Sequence, residues 1–260
     1  MSKAIDVSDL SVVFDDRGSE FKAIENVSFH VDPGQFVSII GSSGCGKSTL
    51  LSVLEGLRKP DTGTVKIGGE IITGPGLERS VVFQQYSLFP WMTAVKNVAF
   101  GIEQARKDLN RKERQALAQD YLNKVGLEDF GHRYPSELSG GQQQRVAIAR
   151  ALAENGEVLL MDEPFGAIDA KNRTILQDLL LQLWEGEKDQ ERKTVVFVTH
   201  DIEEAILLSD RILMMKPDPG RIYRDFTVPL PRPRHRLELL RSETYINFRS
   251  ELSDIFFEEQ

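Results

Sequence analysis

The sequence has one cysteine and no long apolar segment. Cys45 is the single cysteine among 260 residues, which excludes an internal disulfide framework. No apolar run approaches the roughly 20 residues that a membrane-spanning helix needs. The opening segment, MSKAIDVSDL, lacks the apolar stretch of a signal peptide. These absences predict a cytosolic protein.

Basic residues are also in short supply. The chain has 32 Lys and Arg against 40 Asp and Glu, a formal net charge of −8. Because binding to a nucleic-acid backbone needs a basic surface, this balance predicts that nucleic acid is not a partner. The share of hydrophobic residues, 40%, is that of an ordinary globular protein with a core.

Short apolar runs alternate with helical patterns along the chain. The runs are FVSII at 36–40, VVF at 81–83, VLLM at 158–161 and TVVFVTH at 194–200. Fully apolar runs of this length are typical of a parallel sheet covered on both faces. Nearer the N-terminus, AIDVSDLSVVF, VSFHV and GTVKIGG alternate more, which predicts antiparallel strands at the edge of that sheet. The fold class is therefore α/β.

The middle of the chain has a different character. Residues 91–155 show no strand pattern, and residues 104–126 predict one exposed, charge-rich helix. We interpret 91–155 as a helical subdomain inserted into a core formed by residues 1–90 and 156–230.

A C-terminal tail is predicted for residues 231–260. It begins within the segment PLPRPRHR, a proline-broken basic connector, and a final helix follows that connector. The apolar residues of that helix that share a face at helical spacing are Tyr245, Phe248, Leu252 and Ile255. Such a face is typical of a helix that packs on the core.

A glycine-rich loop follows the first buried strand and opens a helix. The loop, GSSGCGKS, fits G-x-x-x-x-G-K-[ST]. Its glycines let successive N–H groups point at phosphate oxygens, Lys47 reaches the β- and γ-phosphates, and the Ser48 hydroxyl holds Mg²⁺. The predicted nucleotide-binding residues are Gly41, Ser42, Ser43, Gly44, Cys45, Gly46, Lys47, Ser48 and Thr49. The alternatives are a flexible loop for the motif and, for Cys45, either a small filler or a redox group.

Two carboxylates and a histidine end further strands. VLLMDEP places Asp162 as a ligand of Mg²⁺ and Glu163, which points to the other side of the strand, as the base for the attacking water. His200 ends TVVFVTH, and because ligands gather at the carboxyl ends of parallel strands, it can reach the γ-phosphate. The alternatives are a helix cap for the two carboxylates and a structural role for the histidine.

A second glycine-rich turn, LSGGQ, starts at Leu138 and runs into another predicted helix; the turn and the helix together cover residues 138–152. With the P-loop and the Asp-Glu strand end, it makes the sequence resemble the ATP-binding-cassette (ABC) ATPases, whose signature is LSGGQ. The resemblance implies a P-loop NTPase, RecA-like fold. It also implies that each signature loop covers the γ-phosphate held by the other subunit of a head-to-tail dimer. The residues implied to contact the partner's ATP are Ser139, Gly140, Gly141, Gln142 and Asp169.

The resemblance assigns three further positions. Gln84 in VVFQQ matches a glutamine that touches Mg²⁺ and the attacking water; Gln85 is the adjacent alternative, but the V-F-Q register favours Gln84. Asp169 lies in GAID, a dimer-interface loop in which the family more often has leucine at the position of Ile168. Phe14 matches an aromatic that stacks on adenine, and a core phenylalanine is the alternative. We expect the eight residues after it, DDRGSEFK, to form a polar turn.

The resemblance also implies an activity and partners. The activity is hydrolysis of ATP with Mg²⁺, coupled to closing and opening of the dimer. The first implied partner is a second copy of the chain, or a second cassette in a pseudo-dimer. The others are integral membrane permease subunits and a separate extracytoplasmic solute-binding protein. The implied location is peripheral, at the cytoplasmic face of the membrane.

Trp91 in LFPWMTAVKNVAFGI, the segment 203–222 and the RPRHR connector resemble the nitrate/sulfonate/taurine importer group. The solute stays open among nitrate, taurine, alkanesulfonates, bicarbonate and a pyrimidine thiamine precursor. The alternatives are a stand-alone export cassette, a soluble ABC ATPase of DNA repair, chromosome structure or translation, and a non-enzymatic binding module.

Overall fold

The computed structural model describes residues 2–16, 19–186 and 192–258. The strands in these ranges are β1 (Ile5–Asp16), β2 (Ser19–Val31), β3 (Phe36–Gly41), β4 (Thr62–Ile67), β5 (Glu70–Ile71), β6 (Arg79–Val82), β7 (Val158–Asp162), β8 (Thr194–Thr199), β9 (Arg211–Lys216) and β10 (Arg221–Thr227). The helices are α1 (Lys47–Leu54), α2 (Ala94–Ala105), α3 (Arg111–Lys124), α4 (Gly140–Ala153), α5 (Ala170–Glu185), α6 (Ile202–Leu208), α7 (Arg236–Leu239) and α8 (Glu243–Glu258). Within the same ranges, every helix is too short or too polar to cross a membrane.

The chain divides into two compact units. The first comprises Met1–Gly76 and Leu181–Gln260, and the second comprises Leu77–Leu180. The region predicted as a helical subdomain, 91–155, falls inside the second unit, which also contains β6 and β7.

In the first unit, β3 lies between β8 and β9 and is parallel to both. Every residue of β3 and β8 is buried, which confirms the parallel strands predicted from FVSII and TVVFVTH. The register pairs Ile40 with Thr199 and Gly41 with Met215. The glycine loop after β3 and His200 after β8 therefore start from the same edge of the sheet. Strand β10 pairs with β9 in the antiparallel sense.

The antiparallel strands form a four-stranded sheet of their own, in the order β2-β1-β4-β5, instead of the edge of the parallel sheet. Buried and exposed residues alternate in the second half of β2 and in β4. Such strands have one solvated face, so they suit a separate layer. The predicted polar turn at residues 15–22 is shorter than expected, because β1 continues to Asp16 and β2 starts at Ser19; residues 17 and 18 lie outside the described residues.

The second unit is mainly helical around the parallel pair β6 and β7. The single helix predicted at 104–126 is two elements, since α2 ends at Ala105 and α3 starts at Arg111. Asn110 explains the break: its side chain accepts from the N–H groups of Lys112 and Glu113, and Glu113 accepts from its N–H in return. This capping box starts a new helix at that point.

Helix α8 belongs to the first unit. Tyr245, Phe248 and Leu252 are buried as predicted, but the fourth buried residue is Phe256 and Ile255 is half-buried. Residues four apart in a helix share a face, so Phe256 continues the stripe from Leu252 better than Ile255 does.

Candidate functional site

The P-loop joins β3 to α1, and its backbone depends on glycine at one position. Gly46 caps α1 with a φ of 96°, a left-handed conformation that side chains disfavour. A Cβ atom there would also lie 2.8 Å from the carbonyl oxygen of Ala23. The glycine therefore allows the loop to turn sharply into the helix N-terminus, where backbone N–H groups suit an anion.

Lys47 lies inside this loop. Its Nζ donates to the carbonyl oxygens of Gly41 and Ser42 at 2.8 and 2.9 Å, and the residue is only 5% exposed. The loop thus holds a buried cation at its centre, beside the start of α1. That combination suits a multiply charged phosphate group.

Cys45 is fully buried, and its Sγ lies 3.8 Å from the Nζ of Lys47. Burial raises the pKa of the Cys45 thiol despite the nearby cation. A protonated, buried thiol is chemically inert. The geometry therefore favours the small filler over the redox group.

The acidic strand end brings two of the predicted site residues together in the second unit. Glu163 has a φ of 40°, which is unusual for a residue with a side chain and costs on the order of 1–3 kcal/mol. A Cβ atom built on Gly166 would lie 3.6 Å from Oε2 of Glu163 and 3.7 Å from Nε2 of Gln84. The carboxylate of Glu163, the proposed base, and the side-chain amide of Gln84 therefore both lie next to Gly166. This proximity supports Gln84 over Gln85 as the residue that contacts the attacking water.

The signature turn forms the N-terminus of α4. Ser139 is the N-cap: its Oγ accepts from the Gln142 N–H at 3.3 Å, and Oε1 of Gln142 accepts from the Ser139 N–H at 2.9 Å. A Cβ atom on Gly140 would lie 2.6 Å from the Tyr86 hydroxyl. The chain segment after Gln84 therefore packs directly on the signature turn, a contact that sequence reasoning did not find.

The loop containing Asp169 packs on the same turn. The Asp169 carboxylate accepts from the side-chain amide of Asn172 at 2.7 Å and from its N–H at 3.1 Å, and these bonds lower the pKa of Asp169. The amide carbon of Asn172 lies 3.3 Å from where a Cβ atom on Gly141 would stand. Asn172 thus links Asp169 to the signature turn. Sequence reasoning missed it, although an Asp three residues before an Asn at a helix start is a capping signal.

His200 is exposed between β8 and α6, and both of its neighbours are fixed. Asp201 caps α6 by accepting from the N–H groups of Glu203 and Glu204. The Thr199 hydroxyl donates to the Glu204 carboxylate at 2.7 Å. The backbone around His200 is therefore tied to the first turn of α6.

Phe14 is 37% exposed, and an arginine covers its ring. The guanidinium carbon of Arg58 lies 3.8 Å from the ring centre, and Arg58 also donates to the Val13 carbonyl at 3.0 Å. The carboxylate of Asp61 accepts from the Val13 N–H at 2.7 Å. The segment after α1 thus holds this part of β1, which neither the motif nor its spacing predicted.

The residues predicted to hold Mg²⁺ fit that ion chemically. Ser48, Gln84 and Asp162 supply a hydroxyl, an amide and a carboxylate oxygen, the hard donors that Mg²⁺ prefers. Within the described ranges, no group of three His, Cys, Asp or Glu side chains could hold a metal ion by itself. Mg²⁺ commonly binds through one or two carboxylates together with substrate phosphates, which matches this donor set.

The profile of the ABC transporter family matches residues 24–166. An uncharacterized ABC transporter ATP-binding protein of Methanocaldococcus jannaschii is 44% identical, covering 100% of this chain and 93% of its own. The nitrate import ATP-binding protein NrtD of Synechocystis is 41% identical over 96% of this chain and 94% of its own. The bicarbonate transport protein CmpC of Synechococcus elongatus is 46% identical, but the chain spans only 36% of its length.

A solved ATP-binding cassette, a dimer in a post-hydrolysis state bound to ADP and Pi, has the same fold. It superposes with a TM-score of 0.76 at 35% identity, over 87% of this chain and 100% of its own. The likeness confirms the predicted P-loop NTPase fold class and, with the family match, the predicted class of enzyme, an ATP hydrolase. The chain belongs to the ABC transporter family.

Proposed function

We propose that the chain is the ATP-binding and hydrolysing subunit of an ABC importer, which powers uptake of a small anion or organic solute through a separate permease. The observation that carries the proposal is the pair of glycine-rich helix starts in one chain, at Lys47 and at Ser139. One chain needs only one phosphate-binding site for its own nucleotide. The second is explained by a nucleotide bound to another copy.

The direction of transport and the solute class rest on the relatives. The relatives matched along most of their own length include subunits named for nitrate import and bicarbonate transport. A stand-alone export cassette and an ATPase outside transport are not favoured by these names. The proposed solute is a small anion of the nitrate, bicarbonate or sulfonate type.

Binding of ATP uses the P-loop. The backbone N–H groups at the start of α1 and the Lys47 ammonium neutralise the phosphates, and the Phe14 ring stacks on adenine. The Lys47 ammonium donates to the loop carbonyls of Gly41 and Ser42, and its donors can turn to phosphate oxygens with little reorganisation. Ser48 and Asp162, with Gln84, hold Mg²⁺.

Hydrolysis uses groups from three strand ends. Glu163 accepts the proton of the attacking water, Gln84 orients that water, and His200 hydrogen-bonds to the γ-phosphate. Bound Mg²⁺ supplies charge neutralisation on the phosphate oxygens. The remaining catalysis is positioning, so small displacements of these side chains lower turnover.

Dimer closure completes the site. The signature residues Ser139, Gly140, Gly141 and Gln142 cover the γ-phosphate of a second copy, and the loop of Asp169 crosses the same interface. The N-terminal end of α4 supplies N–H groups and a favourable dipole to the developing negative charge. ATP binding thus closes the dimer, and hydrolysis lets it open.

The partners follow from this cycle. Permease subunits convert closure into transport, and a separate extracytoplasmic protein binds the solute. The chain itself is peripheral, at the cytoplasmic face of the membrane. The two cassettes are either two copies or one copy with a related chain.

The test is a mild-detergent pull-down of the tagged chain from its host's membranes, with an untagged strain as control. Recovery of a polytopic permease supports the proposal, and the solute-binding protein associated with that permease is then titrated with nitrate, bicarbonate and taurine. Recovery of only soluble or nucleic-acid-associated proteins overturns the importer assignment and leaves the ATPase chemistry to be tested separately.

A further inference from the structure

The basic connector, residues 229–236, has no part in the proposed cycle, yet it contains an unusually well-bonded arginine. Arg234 is 5% exposed, and burial lowers the pKa of its guanidinium to about 10. The carbonyl oxygens that accept from it, at 2.6–3.2 Å, belong to Ile206, Leu207, Ser209 and Leu230. Three of these lie in or just beyond the last turn of α6, so Arg234 caps the C-terminal end of that helix.

Arg232 binds the same helix end. Its Nη2 donates to the Leu208 carbonyl at 2.6 Å, its Nε to Asp210 at 2.6 Å, and its Nη1 to Glu185 at 2.7 Å. Its guanidinium carbon lies 4.4 Å from the ring centre of Trp184. The carbonyl groups at 206, 207, 208 and 209 therefore all accept from the connector, which also anchors them to the end of α5.

The residues after α6 are in turn bonded to the strand that leads into the P-loop. The hydroxyls of Ser209 and Ser38 share a hydrogen bond. The Asp210 carboxylate, besides binding Arg232, accepts from the Phe36 N–H at 2.9 Å. Arg232 thus connects α6 to the first residue of β3 through a single carboxylate.

The opposite end of α6 carries His200. The helix has seven residues, so its two ends are only about 10 Å apart. A short, capped helix moves as a rigid element. Any tilt of its C-terminal end against β3 therefore displaces His200 relative to the loop that holds Lys47.

We propose that Arg232 and Arg234 are positioning residues for ATP hydrolysis, which hold α6 so that His200 stays in register with the P-loop. An apolar side chain could fill the same volume without the desolvation penalty of a buried cation. Only a planar group with several donors can bind diverging carbonyls at a helix end and so set the helix direction. The inference rests on the role proposed above for His200.

The first test is a comparison of kcat with KM for ATP in the purified 260-residue chain. Arg232→Gln and Arg234→Gln remove the charge and keep much of the volume. We expect kcat to fall about 10-fold or more, because small displacements in a site that works by positioning lower the rate steeply. KM should stay within about 2-fold of wild type, since the Lys47 contacts are unchanged. Arg232→Lys, which restores the charge but not the fork of donors, should recover kcat only in part.

The second test observes His200 directly. The chain has four histidines, so their ring signals can be resolved by NMR and that of His200 assigned with His200→Gln. In Arg232→Gln we expect the His200 signal to shift or broaden, while those of His30 and His132 stay in place. A purely structural arginine would lower the thermal midpoint without moving the His200 signal selectively.

Arg249→Gln is the matched control. Arg249 also joins the tail to α6, through an ion pair with Glu203 at 2.8 Å, but both side chains are half-exposed. Exposed pairs of this kind contribute little, so kcat should not change.

The outcomes separate the inference from the proposed function. Full turnover in His200→Gln overturns the role of His200 and with it both ideas at this position. Loss of turnover in His200→Gln, together with wild-type kcat and an unmoved His200 signal in Arg232→Gln, overturns only the positioning role. If Arg234→Gln does not fold, Arg232→Gln decides, because Arg232 is less buried than Arg234 and part of its bonding is to the half-buried carboxylates of Glu185 and Asp210.

Discussion

The two glycine-rich helix starts of this chain look alike in sequence but are built differently. At the P-loop, Gly46 turns the chain in a left-handed conformation, and among the described residues no side chain caps α1. At the signature turn, Ser139 and Gln142 cap α4 reciprocally. The first start contains a buried lysine cation, and the second contains only neutral side chains in its cap.

This difference indicates different tasks. The P-loop offers a cation and backbone N–H groups together, so it can bind a polyphosphate by itself. In the signature turn, two N–H groups are already used by the cap. What it can add is the dipole and the glycine N–H groups of a pre-formed helix end, which suits a phosphate already held elsewhere.

The largest expected effect is on ATP hydrolysis, with no change at either of the two glycine-rich helix starts. Glu163→Gln should lower kcat by about 10²–10⁴-fold, the usual contribution of a general base, and leave ATP affinity intact. Steady-state turnover and equilibrium ATP binding measure the two quantities. Glu128→Gln, on an exposed loop, is the control. Turnover close to wild type in Glu163→Gln would remove this residue from the role of base.

The next substitution disrupts phosphate binding at the P-loop alone. Lys47→Ala should weaken ATP binding by about 10–100-fold, since a charge-assisted hydrogen bond contributes about 1.5–3 kcal/mol. Calorimetric titration with ATP measures it, and Lys66→Ala on the exposed face of β4 is the control. Unchanged affinity would mean that the loop carbonyls retain the lysine when nucleotide binds.

A third substitution disrupts the signature turn alone. Ser139→Arg should leave ATP binding intact but weaken ATP-dependent dimerisation by about 30-fold or more, because loss of a central interface contact costs about 2 kcal/mol. Sedimentation with ATP in a Glu163→Gln background measures it. The control is Ala116→Arg, an equally large change on the exposed side of α3. A dimer that still forms in Ser139→Arg contradicts the two-site arrangement.

The smallest effect concerns the interior of the P-loop. Cys45→Ala should change KM for ATP by less than about 3-fold, because Lys47 keeps its two carbonyl acceptors. Since burial raises the pKa of the Cys45 thiol, less thiolate is present at neutral pH than in a free thiol. Alkylation by iodoacetamide, followed by mass spectrometry, should therefore be slow at pH 7 and accelerate only well above it. Rapid labelling at pH 7 would return Cys45 to the redox interpretation.

Much of the fold was predictable because its signals are local. The apolar runs that became β3, β7 and β8 lack the regular alternation of polar residues that a solvated face would require, so their burial was readable. The P-loop and the signature turn were equally local, since glycine, lysine and serine at fixed spacing define their backbone chemistry. Strands β9 and β10 and the separation of the antiparallel strands into their own sheet were not predicted. The pairing of β1 with β4 and of β3 with β9 joins segments that are distant in sequence.

Contacts between motifs were beyond the sequence. Tyr86 on Gly140 and Arg58 on Phe14 join residues that no sequence pattern links, and the capping signal at Asp169 does not indicate that Asn172 contacts Gly141. Each contact depends on how far a side chain reaches from a backbone position that folding sets.

The sequence by itself determined the chemistry proposed for this protein: a lysine and glycines proposed for phosphate, paired Asp162 and Glu163 at a strand end, and a second turn proposed to bind phosphate. Those functions need particular residue types at short, fixed spacing, so they are written along the chain. Only the tertiary structure decided which groups distant in sequence bind one another. The arginines of the connector bind the end of α6 across 24–28 residues of sequence, because helix carbonyls accept from any donor that packing brings within reach.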